Sequence, residues 1–213
     1  MSDVREFDTR PTGHPSAESP LAWSFHRQAP PREANAGVAL REQAFLDHLV
    51  LRGGAIVLDE AVREVLGLAL PARPNTLALD DGGERSIQWL SPDEWLVIVP
   101  AGEAFALERR LRQALGQAHF SIVNVGGGQT LVELSGPQAR EVLMKSTTYD
   151  VHPQAFPVGK GVSVVFAKAS VVLRRPREDV WELVVRRSFA DYCFRWLLDA
   201  AEEFGVSVGS ETP

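Results

Sequence analysis

The chain reads as an α+β protein: two βαβββα-like halves, with mostly antiparallel sheets and helices packed on them. Three observations predict it. Strand-length apolar runs alternate with amphipathic helical stretches, and the order recurs in the second half. Two local echoes support a duplication. Ala61-Val62-Arg63-Glu64-Val65-Leu66 is repeated in outline by Ala139-Arg140-Glu141-Val142-Leu143, and Asp93-Glu94-Trp95-Leu96-Val97-Ile98-Val99 by Glu178-Asp179-Val180-Trp181-Glu182-Leu183-Val184-Val185. Finally, 213 residues suit one large domain or two small intimate ones, and a hydrophobic fraction of 45% with 23% charged residues is that of an ordinary soluble globule.

The first stretch, 1–36, is expected to be a tail or an arm laid on a partner. Pro11, Pro15, Pro20, Pro30 and Pro31 break any regular element there, while Trp23 and Phe25 favour the arm, since a solvated tail has little use for aromatics. The first α+β half covers 37–118, with folded sequence from Val38. His48-Leu49-Val50-Leu51-Arg52 is a strand ended by Gly53-Gly54. Asp59 is placed to cap a helix carrying Val62, Val65 and Leu66. Three strands follow over 76–79, 86–90 and 95–99, the last two joined by the turn Ser91-Pro92-Asp93-Glu94. A helix from about Gly102 then presents Leu107, Leu111, Ala114 and Leu115 on one face.

The second half covers 119–205. Strands over 120–125 and 130–134, with Gly126-Gly127-Gly128 as the hairpin turn between them, lead into a helix. Ser135 is its expected N-cap, with Gln138 completing a capping box. Strands over 162–167, 170–174 and 180–185 follow, the last two joined by the turn 175–179. Ser188 with Asp191 opens a final helix with the stripe Phe189, Tyr192, Cys193, Trp196, Leu197, Ala200 and Phe204. Residues 206–213 are expected to be a C-terminal tail.

Composition narrows the function. A net charge of -6 without a basic block argues against a nucleic-acid partner. The single cysteine, Cys193, excludes an intramolecular disulfide or a cysteine-cluster metal site and fits a reducing compartment. The N-terminus lacks a signal pattern and no apolar run approaches membrane-helix length, so no membrane association and a cytoplasmic location are expected.

Few residues offer chemistry. The triple glycine is followed by Gln129-Thr130 and a strand, not by the Lys and helix of a phosphate loop. None of His14, His26, His48, His119 and His152 pairs with another at helical metal-ligand spacing. His48 reads as a satisfied, partly buried strand residue. His152, in the loop after the capped helix, could be an acid/base group, an interface residue or neither. Cys193 reads as a buried, inert thiol. Arg186-Arg187, at a strand-to-helix junction, are either solvated charges or a clamp for carboxylates of a ligand or partner. No catalytic, cofactor-binding or metal-ligating residue is assigned. The interface candidates are Trp23, His152, Arg186, Arg187 and Tyr192.

Several motifs in order resemble one family. Leu134-Ser135-Gly136-Pro137-Gln138-Ala139-Arg140, Asp150-Val151-His152-Pro153, Phe156-Pro157-Val158-Gly159 and Val185-Arg186-Arg187-Ser188-Phe189-Ala190-Asp191-Tyr192 are similar to the gamma subunit of heterotetrameric sarcosine oxidase. So are Leu40-Arg41-Glu42, Pro74-Asn75-Thr76 and Ser91-Pro92-Asp93-Glu94-Trp95-Leu96, and the likeness spans about 38–205. The resemblance implies an aminomethyltransferase-like, folate-binding-domain fold. It implies a small subunit, not catalytic by itself, of a complex that oxidises sarcosine to glycine, forms peroxide and passes one carbon to tetrahydrofolate. The partners would be alpha, beta and delta subunits, and FAD, FMN, NAD, zinc and tetrahydrofolate would sit on those other chains. In the transferase kin, a hairpin after the Thr147-Thr148-Tyr149-Asp150 exit supplies a carboxylate near folate. Here the matching segment, Val165-Phe166-Ala167-Lys168-Ala169-Ser170-Val171-Val172, has none, and Asn124 stands where an Asp is usual. A general base cannot be built from Ala169 or Ser170, so the transferase activity is not carried over. Two alternatives remain: a stand-alone folate-binding protein, and the equivalent subunit of an N-methylglutamate-type dehydrogenase complex.

Overall fold

The computed structural model describes residues 17–28 and 36–210. Within them, eleven strands form two sheets that pack face to face, with helices on both outer faces. The six-stranded sheet has the order β11-β1-β7-β10-β9-β8 and the five-stranded sheet β3-β4-β5-β2-β6. The strands are β1 (Val38–Gln43), β2 (Asp47–Gly53), β3 (Leu77–Leu79), β4 (Ser86–Ser91), β5 (Glu94–Val99), β6 (Phe120–Asn124), β7 (Gln129–Ser135), β8 (Lys160–Phe166), β9 (Ala169–Arg177), β10 (Val180–Arg186) and β11 (Val206–Ser210). The helices are α1 (Ala22–Gln28), α2 (Ala55–Leu66), α3 (Ala104–Leu115), α4 (Ala139–Ser146) and α5 (Ala190–Ala201).

Strand alternation assigns the layers. On β5, Trp95, Val97 and Val99 face α2 and α3, whereas Leu96 and Ile98 face the other sheet. On β10, Trp181, Leu183 and Val185 join the core under α4 and α5, and Val184 joins Leu96, Ile98 and Leu131 between the sheets. Central strands covered on both faces therefore read as continuous apolar runs, such as Trp95-Leu96-Val97-Ile98-Val99.

The antiparallel α+β architecture is as expected, but several elements differ from their sequence reading. β1 lies in the sheet of the second half, beside β7, and β6 lies in the sheet of the first, beside β2. The triple glycine is thus a 3-10 turn crossing between sheets, not a hairpin turn. Ser135 does not cap α4. Its backbone belongs to β7, opposite Ala39 on one side and Val180 on the other, and Gln138 holds the cap position without a side-chain bond. Gly136 makes the turn at φ 108, where an added Cβ would stand 2.5 Å from the Gly37 carbonyl oxygen.

Asp59 lies inside α2 instead of at its start. Its Oδ1 accepts a bond from the Leu70 amide at 2.7 Å and its Oδ2 one from Arg63 Nε at 2.7 Å, pinning the segment after the helix. β9 runs on through Arg177, because Arg175, buried in the expected turn, donates to the Phe156 and Glu178 carbonyls. Ser188 sits in a 3-10 turn, Arg187–Phe189, ahead of α5, whose buried face is Ala190, Cys193, Phe194, Leu197, Ala200 and Ala201. Phe189, expected on that stripe, is outside it and 43% exposed.

Both ends of the chain contribute more structure than expected. In the stretch read as a tail or arm, α1 docks on α5. Leu21 is fully buried, Phe25 packs on Phe194 with ring centroids 4.9 Å apart, and Ser24 Oγ donates to Asp191 Oδ1 at 2.6 Å. Residues 206–210, read as part of a tail, form β11, which pairs in parallel with β1. Residues 1–16 and 29–35 of the expected tail lie outside the described residues.

Candidate functional site

Four charged side chains cross the six-stranded sheet in one row. Register sets Arg41 opposite Glu133, Glu133 opposite Glu182, and Glu182 opposite Arg174. Their strand neighbours Leu40, Val132, Leu134, Trp181, Leu183 and Leu173 face the helices, so the pleat turns the charges toward the other sheet. Two carboxylates directly opposite would repel, and an arginine at each end of the row offsets that. Glu133 Oε2 accepts from Arg41 Nη2 at 3.2 Å and Gln43 Nε2 at 2.9 Å. Glu182 Oε2 accepts from Arg174 Nε at 2.9 Å and also from its Nη2. Arg174 Nη1 donates to Ser86 Oγ of β4 at 2.9 Å, tying one sheet to the other.

This row borders a cavity of about 750 Å³ between the sheets. Arg41, Gln43, Arg177 and Glu182 line one side, and the Asp80–Glu84 turn lines the opposite side. Sequence reasoning passed over Glu133, Arg174 and Glu182. The available signal was a charge inside an otherwise apolar strand, as in Leu131-Val132-Glu133-Leu134 and Trp181-Glu182-Leu183. In the same layer, His48 is buried and its Nδ1 bonds Gln129 Oε1 at 3.0 Å. Burial lowers its pKa below the usual histidine value, against the raising effect of the Gln129 bond, and the charge of Arg174 lowers it further. His48 is the satisfied strand residue expected.

The five interface candidates fall in two places. Trp23, 61% exposed, flanks Ser24, which bonds the first turn of α5. Arg186, the last residue of β10, and Arg187, the first of the 3-10 turn that leads into α5, are both exposed, and half-buried Tyr192 lies in the first turn of α5, 6.4 Å from the Trp196 ring centroid. His152 is separate. It borders a depression beside α4 with Arg140, Met144 and Tyr149, and its Nδ1 accepts the Gln154 amide at 3.3 Å. The β8–β9 hairpin turns at Ala167, φ 51, with Ala169 buried. Asn124 Oδ1 accepts the Gly126 amide at 3.0 Å and so supports the crossing turn. Cys193 is fully buried, and burial alone raises its thiol pKa to about 11.

Two stacked, mostly antiparallel sheets with outer helices and a cleft between them define an aminomethyltransferase-like fold. The glycine cleavage system aminomethyltransferase T from Bartonella henselae superposes with a TM-score of 0.65 over 89% of this chain and 58% of its own, at 15% identity, a likeness of fold. A chain of heterotetrameric sarcosine oxidase from Corynebacterium sp. U-96 superposes with a TM-score of 0.78 at 30% identity, over 92% of this chain and 99% of its own. The sarcosine oxidase subunit gamma of Corynebacterium sp. (strain P-1) is 37% identical over 172 residues, 78% of this chain and 81% of that protein. The family described as "Sarcosine oxidase, gamma subunit family" matches residues 53–203. The chain belongs to that family. Among the described residues, no helix is long and apolar enough to cross a membrane.

Proposed function

We propose that this chain is the gamma subunit of a heterotetrameric sarcosine oxidase, and that it supports the assembly without performing its chemistry. The observation that carries this reading is the match, along nearly its whole length, to one chain of such a complex. Its partners would be the alpha, beta and delta subunits. The complex would demethylate sarcosine oxidatively to glycine, form peroxide and hand the carbon to tetrahydrofolate, using FAD, FMN, NAD and zinc held on the other chains. The absence of a carboxylate from the β8–β9 turn supports a supporting role, since no general base stands at that hairpin. Co-expression with the other subunits, followed by weighing the assembly, tests it. The expected mass is that of one copy of each subunit. A chain that remains monomeric in their presence overturns the reading.

One observation favours a second reading, retained binding of a folate. That reading needs a carboxylate in a pocket. Glu182 supplies one from β10 instead of from the hairpin, and a cavity of about 750 Å³ is within the usual size for small-molecule sites. Both Arg174 bonds fall on Glu182 Oε2, which leaves Oε1 to other partners. Titration of the isolated chain with tetrahydrofolate decides it. Saturable micromolar binding, weakened at least tenfold by Glu182→Gln in a chain with an unchanged circular-dichroism spectrum, supports this reading. No binding up to millimolar concentrations removes it.

A further inference from the structure

In the crossing turn, Gly126 is held to glycine by packing, since an added Cβ would stand 3.3 Å from Asn124 Oδ1 and from the His48 amide nitrogen, but Gly127 and Gly128 beside it are not. None of the three has a positive φ. A Cβ added at Gly127 or Gly128 would meet no atom within 4 Å. Neither conformation nor internal packing accounts for bare backbone at these two positions. Glycine where the chain leaves open space is what close approach from outside requires.

The surroundings of the turn have the character of a contact surface. It touches the Arg187–Phe189 turn, and Arg186 is the backbone partner of Gln129, the residue after Gly128. Arg186 and Arg187 are exposed and form no ion pair or hydrogen bond among the described residues. Phe189 is 43% exposed. Val123, on the edge strand β6 that feeds the turn, is 48% exposed. Two unneutralised guanidinium groups on a chain of net charge -6 make this a local positive patch with apolar flanks.

We propose that this patch seats an acidic segment of another subunit of the complex. The segment's carboxylates would take forked bonds from Arg186 and Arg187, its backbone would lie against Gly127 and Gly128, and an apolar side chain would cover Phe189 and Val123. A second copy of this chain is a poorer occupant, because a two-fold contact through one patch would bring four arginines together. The assignment rests on the gamma-subunit reading and adds the docking site to it.

The test uses the full chain co-expressed with the other subunits. Gly127→Leu is expected to lower recovery of the assembled complex at least tenfold, with the melting temperature of the free chain unchanged. Arg186→Glu with Arg187→Glu should do the same. Gly54→Leu is the control: Gly54 also faces open space, at the opposite end of β2, roughly 17 Å away at strand spacing, and assembly should be unaffected. Arg187→Lys, which keeps the charge, should be joined by carbodiimide to an Asp or Glu of another subunit, read by mass spectrometry. If the wild-type chain assembles and the Gly127 and double-arginine variants assemble equally well, the docking site falls alone. A cross-link from position 187 to a second copy of this chain also overturns it. A wild-type chain that joins no other subunit overturns the gamma-subunit reading, and the docking site with it.

Discussion

His48 and Cys193 show how burial sets the chemistry of single side chains. His48 is held neutral, mainly by its removal from water, and its folded pKa lies below the unfolded value of about 6.5. The unfolded chain therefore binds more protons as pH falls, so this contribution to stability is complete above the unfolded pKa and is lost toward the folded one. Unfolding free energy should fall with decreasing pH below about 7, with at most about 1.4 kcal/mol per pH unit from this one proton. His48→Gln should flatten that part of the profile, measured by urea denaturation between pH 7 and 5. Cys193, with a thiol pKa near 11 and no exposure, should resist iodoacetamide at pH 8 in the native chain and react fully in guanidinium. Rapid native labelling would contradict the packing of α5 on its sheet. Both residues were legible beforehand: a histidine in an apolar strand and a cysteine on an amphipathic stripe predict their own burial.

At the scale of elements, the charged row and the docked α1 are the least expected features. Arg174 is 2% exposed and its partner Glu182 8%. Arg174→Ala strands a buried carboxylate and should cost about 3–5 kcal/mol. Arg174→Met combined with Glu182→Leu removes both charges and should recover most of that loss, as read from urea midpoints. For α1, Leu21→Ala should cost about 2–5 kcal/mol, and Trp23→Ala, on the more exposed face, should cost less. Equal losses at both positions would mean that α1 is not docked through Leu21. The helices and most strands were legible because their apolar period is local. The caps assigned to Ser135 and Asp59 were not, because pairing of β7 on both sides and the Asp59–Leu70 bond depend on residues far along the chain.

Across the whole molecule, exchange of β1 and β6 between the sheets ties the halves together. Arg174 to Ser86 and Gln88 Nε2 to the Gly161 carbonyl, at 2.9 Å each, are further links. Each half's sheet takes a strand from the other half, β6 at the edge of the five-stranded sheet and β1 between β11 and β7 in the six-stranded one. Calorimetry should accordingly show one cooperative transition, with calorimetric and van't Hoff enthalpies equal. Two resolved transitions would show that the halves unfold independently. By itself, the order of local patterns determined the α+β class and the family motifs, because hydrophobic period and turn chemistry are properties of neighbouring residues. Only the tertiary structure decided which sheet each strand joins, that β11 exists, and that Arg41, Glu133, Glu182 and Arg174 share one row beside a cavity. Those outcomes come from register between distant strands, which no local pattern encodes.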